Sequence, residues 1–307
     1  MSRILIGSPV KQKATILKEF LTGLDEAEKG SNEIVYFFVD DNTEAESSDL
    51  LSDFAKSHTV IIKKGIELFD ITKAKETDEY IDHTWKTVNL EKVTVYKDTI
   101  IDYCVSEKFD YLFLIDSDIV LDKRVIPQLL SDNVDIVSSI FYSQWQKNGM
   151  LTPQCFWIPD VYTRFKAFNV PITGKEAHQI RLDMYEKLKT PGLYKVDGLG
   201  ACTLIKREPL EKGVSFKEIY NLAIPGEDRP FCIRATVLGY ELFMDSTYPS
   251  YHIHKEKYLD RVDEFKRDGF KFDMCCTYEE EPPKKKLNPI LKFILRVAKK
   301  IVRDLSV

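Results

Sequence analysis

Across its first 145 residues the chain alternates short apolar runs with longer mixed segments, and this alternation restricts the fold more than any other feature. Short apolar runs suit strands covered on both faces, and the segments between them are long enough to be crossover helices. The reading gives strands at Arg3–Gly7, Ile34–Val39, Val60–Ile62, Tyr111–Ile115 and Ile136–Tyr142. Helices are expected near Lys11–Leu24, Glu44–Ser57, Asn89–Glu107 and Val125–Leu130. The expected fold class is therefore α/β, an open, mostly parallel sheet flanked by helices. Ligands of such sheets bind beyond the carboxyl ends of the strands. Ser8-Pro9, Asp40-Asp41 and Asp116-Ser117-Asp118 all fall there, so three strand ends should meet at one crevice.

In "FLIDSDIV" a buried strand ends in two carboxylates one serine apart. Two oxygen anions so spaced can reach a hard divalent cation, Mg²⁺ or Mn²⁺, while a diphosphate supplies further oxygens. The same triplet also suits a turn or a helix cap, but a turn does not need the strand before it. In "IPGEDRPFCIRATVLGY", Glu227 and Asp228 stand at the entrance of a helix. The helix dipole favours acids there, and a carboxylate so placed can also accept a proton from an attacking hydroxyl. His252 and His254 would share one side of an extended segment. Local spacing provides no third ligand for zinc, yet one imidazole could complete the coordination shell of a cation held by the aspartates. Gly198, Gly200 and Ala201 precede an apolar run, where small residues admit either a bulky ligand or a tight bend. Lys97 lies on the apolar face formed by Val93, Ile100, Ile101 and Cys104. It either snorkels to solvent or reaches past the core edge.

Several classes lose support. There is no GxxxxGK[ST], strand-linked GxGxxG or GxSxG motif. A net charge of −5 argues against a general nucleic-acid partner. The six cysteines form no CxxC pair, so reducing, cytoplasmic surroundings fit best. The first residues run straight into a strand without signal-peptide regions, and no run approaches the roughly 20 apolar residues of a membrane span.

Taken in order, "ILIGSPV", "YFFVDDN", "YKDTIIDYCVSEKFDYLFLIDSDI", "VDGLGACTLIKREPL", "GEDRPFCIRATVLGY" and "DSTYPSYHIH" resemble glycosyltransferase family 2 and its neighbours of the nucleotide-diphospho-sugar transferase (GT-A) fold. The resemblance spans roughly residues 3 to 254. It implies a nucleotide-binding half at 1–145 and an acceptor half at 146–278. Asp116 and Asp118 would hold Mn²⁺ or Mg²⁺ against the donor diphosphate, with His252 as the histidine ligand and His254 in reserve. Ser8, Pro9, Asp40, Lys97, Asp116, Ser117, Gly198 and Gly200 would meet the nucleotide-sugar, a UDP- or GDP-sugar. Asp228 would be the base of an inverting displacement, and Glu227 would orient acceptor or base. The acceptor would be a glycan, a lipid-linked intermediate or a protein. The metal-histidine combination also occurs in retaining relatives. The segment "GIELFDITKAKETDEYIDHTWKT" matches no motif, and the QxxRW element of processive synthases is absent.

"EEEPPKKK" at 279–286 reads as a linker. Beyond it, Leu287, Ile290, Leu291, Ile294, Leu295, Ala298, Ile301, Val302 and Leu305 recur at helical spacing among lysines and arginines. From Lys284 to Val307 the net charge is +7, against about −12 for the rest. A basic amphipathic helix over 287–307 suits an anionic membrane surface, or else packing on the body or a partner. The expected protein is a cytoplasmic, peripherally membrane-associated glycosyltransferase. Its rivals are a nucleotidyltransferase making a sugar nucleotide and a non-catalytic binding subunit of the same fold.

Overall fold

Apolar runs become strands because a covered sheet is the only place where their side chains leave water on both faces. In the computed structural model, which describes residues 1–73, 87–143, 151–222 and 224–275, the chain opens with β1 (Arg3–Val10), α1 (Ala14–Glu26), β2 (Glu33–Asp40), α2 (Ala45–Phe54), β3 (Val60–Lys64) and the short α3 (Gly65–Leu68). It continues through α4 (Thr87–Ser106), β4 (Tyr111–Ile115), β5 (Ile119–Val120), α5 (Val125–Asp132) and β6 (Ile136–Ser143). Every expected strand and helix of this half is present, several with ends moved by a few residues.

The second half is more irregular. It runs through β7 (Thr152–Gln154), β8 (Phe156–Trp157), the hairpin β9 (Phe165–Ala167) and β10 (Val170–Pro171), and α6 (Gly174–Lys187). Thr173 and Glu176 start α6 with a reciprocal capping box. Then come β11 (Leu193–Val196), β12 (Gly198–Leu199), β13 (Cys202–Lys206), α7 (Arg207–Glu211), α8 (Asp228–Val237), β14 (Leu242–His252) and α9 (Val262–Asp268).

The main sheet has the order β11-β14-β6-β13-β4-β1-β2-β3. β1, β2, β3, β4, β6 and β14 run one way, and β13 and β11 run against them. This is the expected mostly parallel α/β sheet. The antiparallel β13 separates β4 from β6, which places the second half of the chain inside the sheet of the first. Helix α1 seats Leu17, Phe20 and Leu24 on the sheet at helical spacing, all fully buried. Each such side chain contributes about 1.5–3 kcal/mol by leaving water.

Residues Met1–Cys276 form one compact unit. Cys104, Cys155, Cys202 and Cys232 are buried free thiols within it. Among the described residues no helix is long and apolar enough to cross a membrane. The expected linker at 279–286 and amphipathic helix at 287–307 lie outside the described residues, as do 74–86 of the segment that matched no motif.

Candidate functional site

The carboxyl ends of β1, β2 and β4 do open on one cleft of about 610 Å³, lined by Pro9, Val10, Asp41, Asp116, Ser117 and Asp118 on one side. Glu227, Arg229 and Trp157 line the other. The turn after β4 is fixed at both ends. The Asp116 N–H donates to the Ala201 carbonyl (2.8 Å), and the Asp118 carbonyl accepts from the N–H of Ile253 (2.8 Å). β5, directly after the turn, pairs antiparallel with the end of β14, setting His252 opposite Ile119.

That pairing delivers the histidine. His252 Nε2 stands 3.4 Å from Asp118 Oδ2, and its Nδ1 is 2.7 Å from Ser143 Oγ at the end of β6. His254 packs between His252 and Tyr258, and burial lowers its pKa to about 4, so it stays neutral. Asp116 shows the opposite effect. Burial lifts its carboxyl to about 7; Lys97 pulls it down, while Asp118, Asp228 and Glu227 push it up.

Of the two courses open to Lys97, the snorkel to solvent does not form. Lys97 lies in α4 only 3% exposed, its ammonium 2.9 Å from Glu227 Oε1 and 2.9 Å from Asp228 Oδ1. Burial opposes its charge, but Asp228, Glu227 and Asp116 outweigh that and raise its pKa well above the usual lysine value. The two acids respond differently. Burial alone would raise Glu227, but Lys97 holds it below the ordinary value. Asp228 is pushed by burial to about 6 even with Lys97 beside it. Both acids sit where the chain enters α8, as the sequence suggests.

The small residues serve the protein's own side chains. A Cβ on Gly200 would lie 2.4 Å from Asp228 Oδ2, and one on Gly198 would lie 2.7 Å from Asp160 Oδ2 and 3.0 Å from Trp157. The space expected for a bulky ligand is therefore filled by Asp228 at Gly200 and by Asp160 and Trp157 at Gly198. Ser8 is wholly buried, its hydroxyl on the Pro9 carbonyl, so of this pair only Pro9 reaches the cleft.

Asp40 likewise turns inward, 5% exposed, to Lys64 and Asn42. Its neighbour Asp41 lines the cleft instead, receiving the Tyr96 hydroxyl (3.1 Å) and the Lys92 ammonium (3.3 Å). The sequence places both aspartates at the crevice, but only Asp40 is expected to meet the ligand. Successive residues beyond a strand face opposite ways, and of two adjacent aspartates the pattern does not say which faces out. Sequence reasoning missed Arg229, which donates to the buried Asp160 (2.8 Å) and stacks 4.8 Å from the Trp157 ring.

For a divalent cation the closest protein donors are Asp118 and His252. Among the described residues no three His, Cys, Asp or Glu side chains gather as a closed cage. The donor set fits an ion that a ligand completes, since Mg²⁺-type ions take one or two carboxylates and complete their shell with phosphate oxygens and water. Asp116, Glu227 and Asp228 face the buried Lys97 ammonium, and Arg229 lies near the latter two.

No protein-family model matches the sequence, and no curated protein matches it. Solved structures do. S. aureus TarS residues 1–349 align over 90% of this chain and 73% of theirs, at 10% identity and a TM-score of 0.46. Longer S. aureus TarS aligns over 88% of this chain and 43% of its own, at 11% identity and 0.45. The mannosyltransferase PcManGT from Pyrobaculum calidifontis, in complex with GDP-Man and Mn²⁺, aligns over 95% and 68%, at 13% identity and 0.44.

Proposed function

We propose that this chain is a metal-dependent glycosyltransferase that moves a sugar from a nucleotide-diphosphate donor to an acceptor hydroxyl. One observation carries the reading: Asp118, with His252 3.4 Å behind it, and Glu227, next to Asp228 in the chain, line one cleft at the carboxyl end of a mostly parallel sheet. The family resemblance of the ordered motifs supports it.

In this reading the donor diphosphate lies along Pro9, Asp116 and Ser117, with the nucleoside toward Asp41 and Tyr96. A bound Mn²⁺ or Mg²⁺ supplies charge stabilisation for the leaving diphosphate. Asp118 and His252 hold it, with Asp116 beside them. Asp228 accepts the proton of the acceptor hydroxyl as that oxygen bonds to the anomeric carbon and the bond to the diphosphate breaks, which inverts the centre. Glu227 orients the acceptor or the base. The acceptor is a glycan, a lipid-linked intermediate or a protein. The basic stretch 287–307 holds the enzyme on an anionic membrane at its cytoplasmic face.

The test is a panel of UDP-, GDP- and dTDP-sugars with Mn²⁺. At least one should be hydrolysed or transferred, Asp118→Ala should abolish this, and Asp228→Asn should remove turnover while sparing donor binding. A protein that binds none of them by calorimetry overturns the reading. Loss of residues 284–307 should release the protein from anionic vesicles; unchanged sedimentation would refute the membrane role.

A further inference from the structure

Beneath the cleft lies a cation that the proposed reaction does not employ. Lys97 Nζ is shared between Glu227 Oε1 and Asp228 Oδ1 at 2.9 Å each, 130 and 131 residues away in sequence. Its side chain is 4% exposed. The Phe216 ring, stacked on Phe231, lies 4.8 Å from the ammonium and keeps water from it. Gly200 bounds the other side of the Asp228 carboxylate, where a Cβ would lie 2.4 Å from Oδ2 and fit only if the carboxylate moved. The carboxylate is thus confined between an ammonium and a bare Cα.

We propose that Lys97 is a positioning residue: its ammonium clamps Glu227 and Asp228 in one fixed arrangement and keeps Asp228 ionised, instead of touching the donor nucleotide. The clamp itself stands on geometry, and its service to sugar transfer rests on the function proposed above. The groups facing Asp228 are Lys97 from α4, Asp116 beyond β4, Glu227 and Arg229 on either side of it in the chain, and Cys232 one turn along α8. Of the two cations, Arg229 is engaged by Asp160, which leaves Lys97 to balance the base. A lysine that bound phosphate would need its ammonium in the cleft, and two carboxylates hold this one under the floor.

Two measurements on the full-length protein test the clamp. The first is a ¹³C-carboxyl NMR titration, with the Asp228 signal assigned through Asp228→Asn. Its midpoint should rise by about one unit or more in Lys97→Met, since an opposite charge at contact distance lowers a carboxyl by about 1–3 units. It should return toward the wild-type value in Lys97→Arg. This readout needs no turnover, so it separates failure of the clamp from failure of the glycosyltransferase reading.

The second is kinetic, on whichever sugar nucleotide the panel selects. Lys97→Met should lower kcat about 100-fold or more. The acid limb of its pH profile should move up, and binding of UDP or GDP with Mn²⁺ by calorimetry should stay as in wild type. An unmoved carboxyl midpoint in a Lys97→Met protein with native circular dichroism overturns the proposal. Loss of nucleotide binding with kcat retained overturns it too, and makes Lys97 a donor contact. Should Lys97→Met fail to fold, Lys97→Gln takes its place under the same criteria.

Discussion

His252 presents Nε2 to the Asp118 carboxylate at 3.4 Å because Ser143 engages the other ring nitrogen at 2.7 Å. A histidine ligand is only as well aimed as the hydrogen bond behind it. Ser143→Ala should therefore weaken Mn²⁺ binding, measured calorimetrically with UDP or GDP present, by about 10-fold or more. It should leave the thermal midpoint close to wild type. Undiminished Mn²⁺ affinity would mean that His252 does not bind the ion.

Gly200→Ala places a methyl group 2.4 Å from Asp228 Oδ2. The side chain can rotate away, so the fold should survive while the carboxylate leaves its berth. A displacement of about 1 Å in a reacting group lowers kcat on the order of 100-fold. Steady-state kinetics should show that fall with a smaller effect on KM. A variant of full activity would separate Asp228 from the chemistry.

Asp132 and Asp245 share one amide: Gln128 Nε2 is 3.1 Å from Asp132 Oδ1 and 3.4 Å from Asp245 Oδ2. Burial, then repulsion from Asp245, lifts Asp132 from the ordinary 3.8 to about 6. The fold thus retains a proton that the unfolded chain releases between those values. This contribution is present below the ordinary carboxyl value and disappears as pH rises through about 6. Asp132→Asn should raise stability above that window by about 1 kcal/mol, a figure reduced for the group's partial exposure. Below it the gain should vanish. Thermal melts at both ends of the range check this, and an equal gain at both would sink the explanation.

The Arg229–Asp160 pair makes an asymmetric prediction. Asp160 is 1% exposed, so Arg229→Met strands a buried carboxylate and should cost about 3 kcal/mol in urea unfolding. The double variant Asp160→Asn/Arg229→Met should recover part of that loss, because neither charge then remains. Additive losses would show that the two side chains act independently.

The first half of the fold was readable because most of its strands are buried on both faces and their apolar runs are nearly continuous. Tyr111–Ile115 was placed to the residue. The second half was not, since two-residue strands such as Phe156–Trp157 and Gly198–Leu199 carry no period. The same limit governs the site. Asp116, Asp118, Glu227, Asp228 and His252 stood out as polar residues at element ends. Ser143, which engages His252, and Asp160, which engages Arg229, did not, because a hydrogen bond between distant residues leaves no trace in local spacing. Lys97 was noticed for its place on an apolar face, but what it binds lay 130 residues away.

Strand β14 has a further consequence for biosynthesis. It covers the open edge of β6 at its start and pairs with β5 at its end, so the 11 residues from Leu242 to His252 close the sheet and supply the imidazole together. A nascent chain halted before Leu242 would carry Asp118 without its histidine and would expose a naked strand edge to aggregation. One strand thereby completes the sheet edge and the Asp118–His252 contact in a single step, and a chain split before Leu242 loses both together.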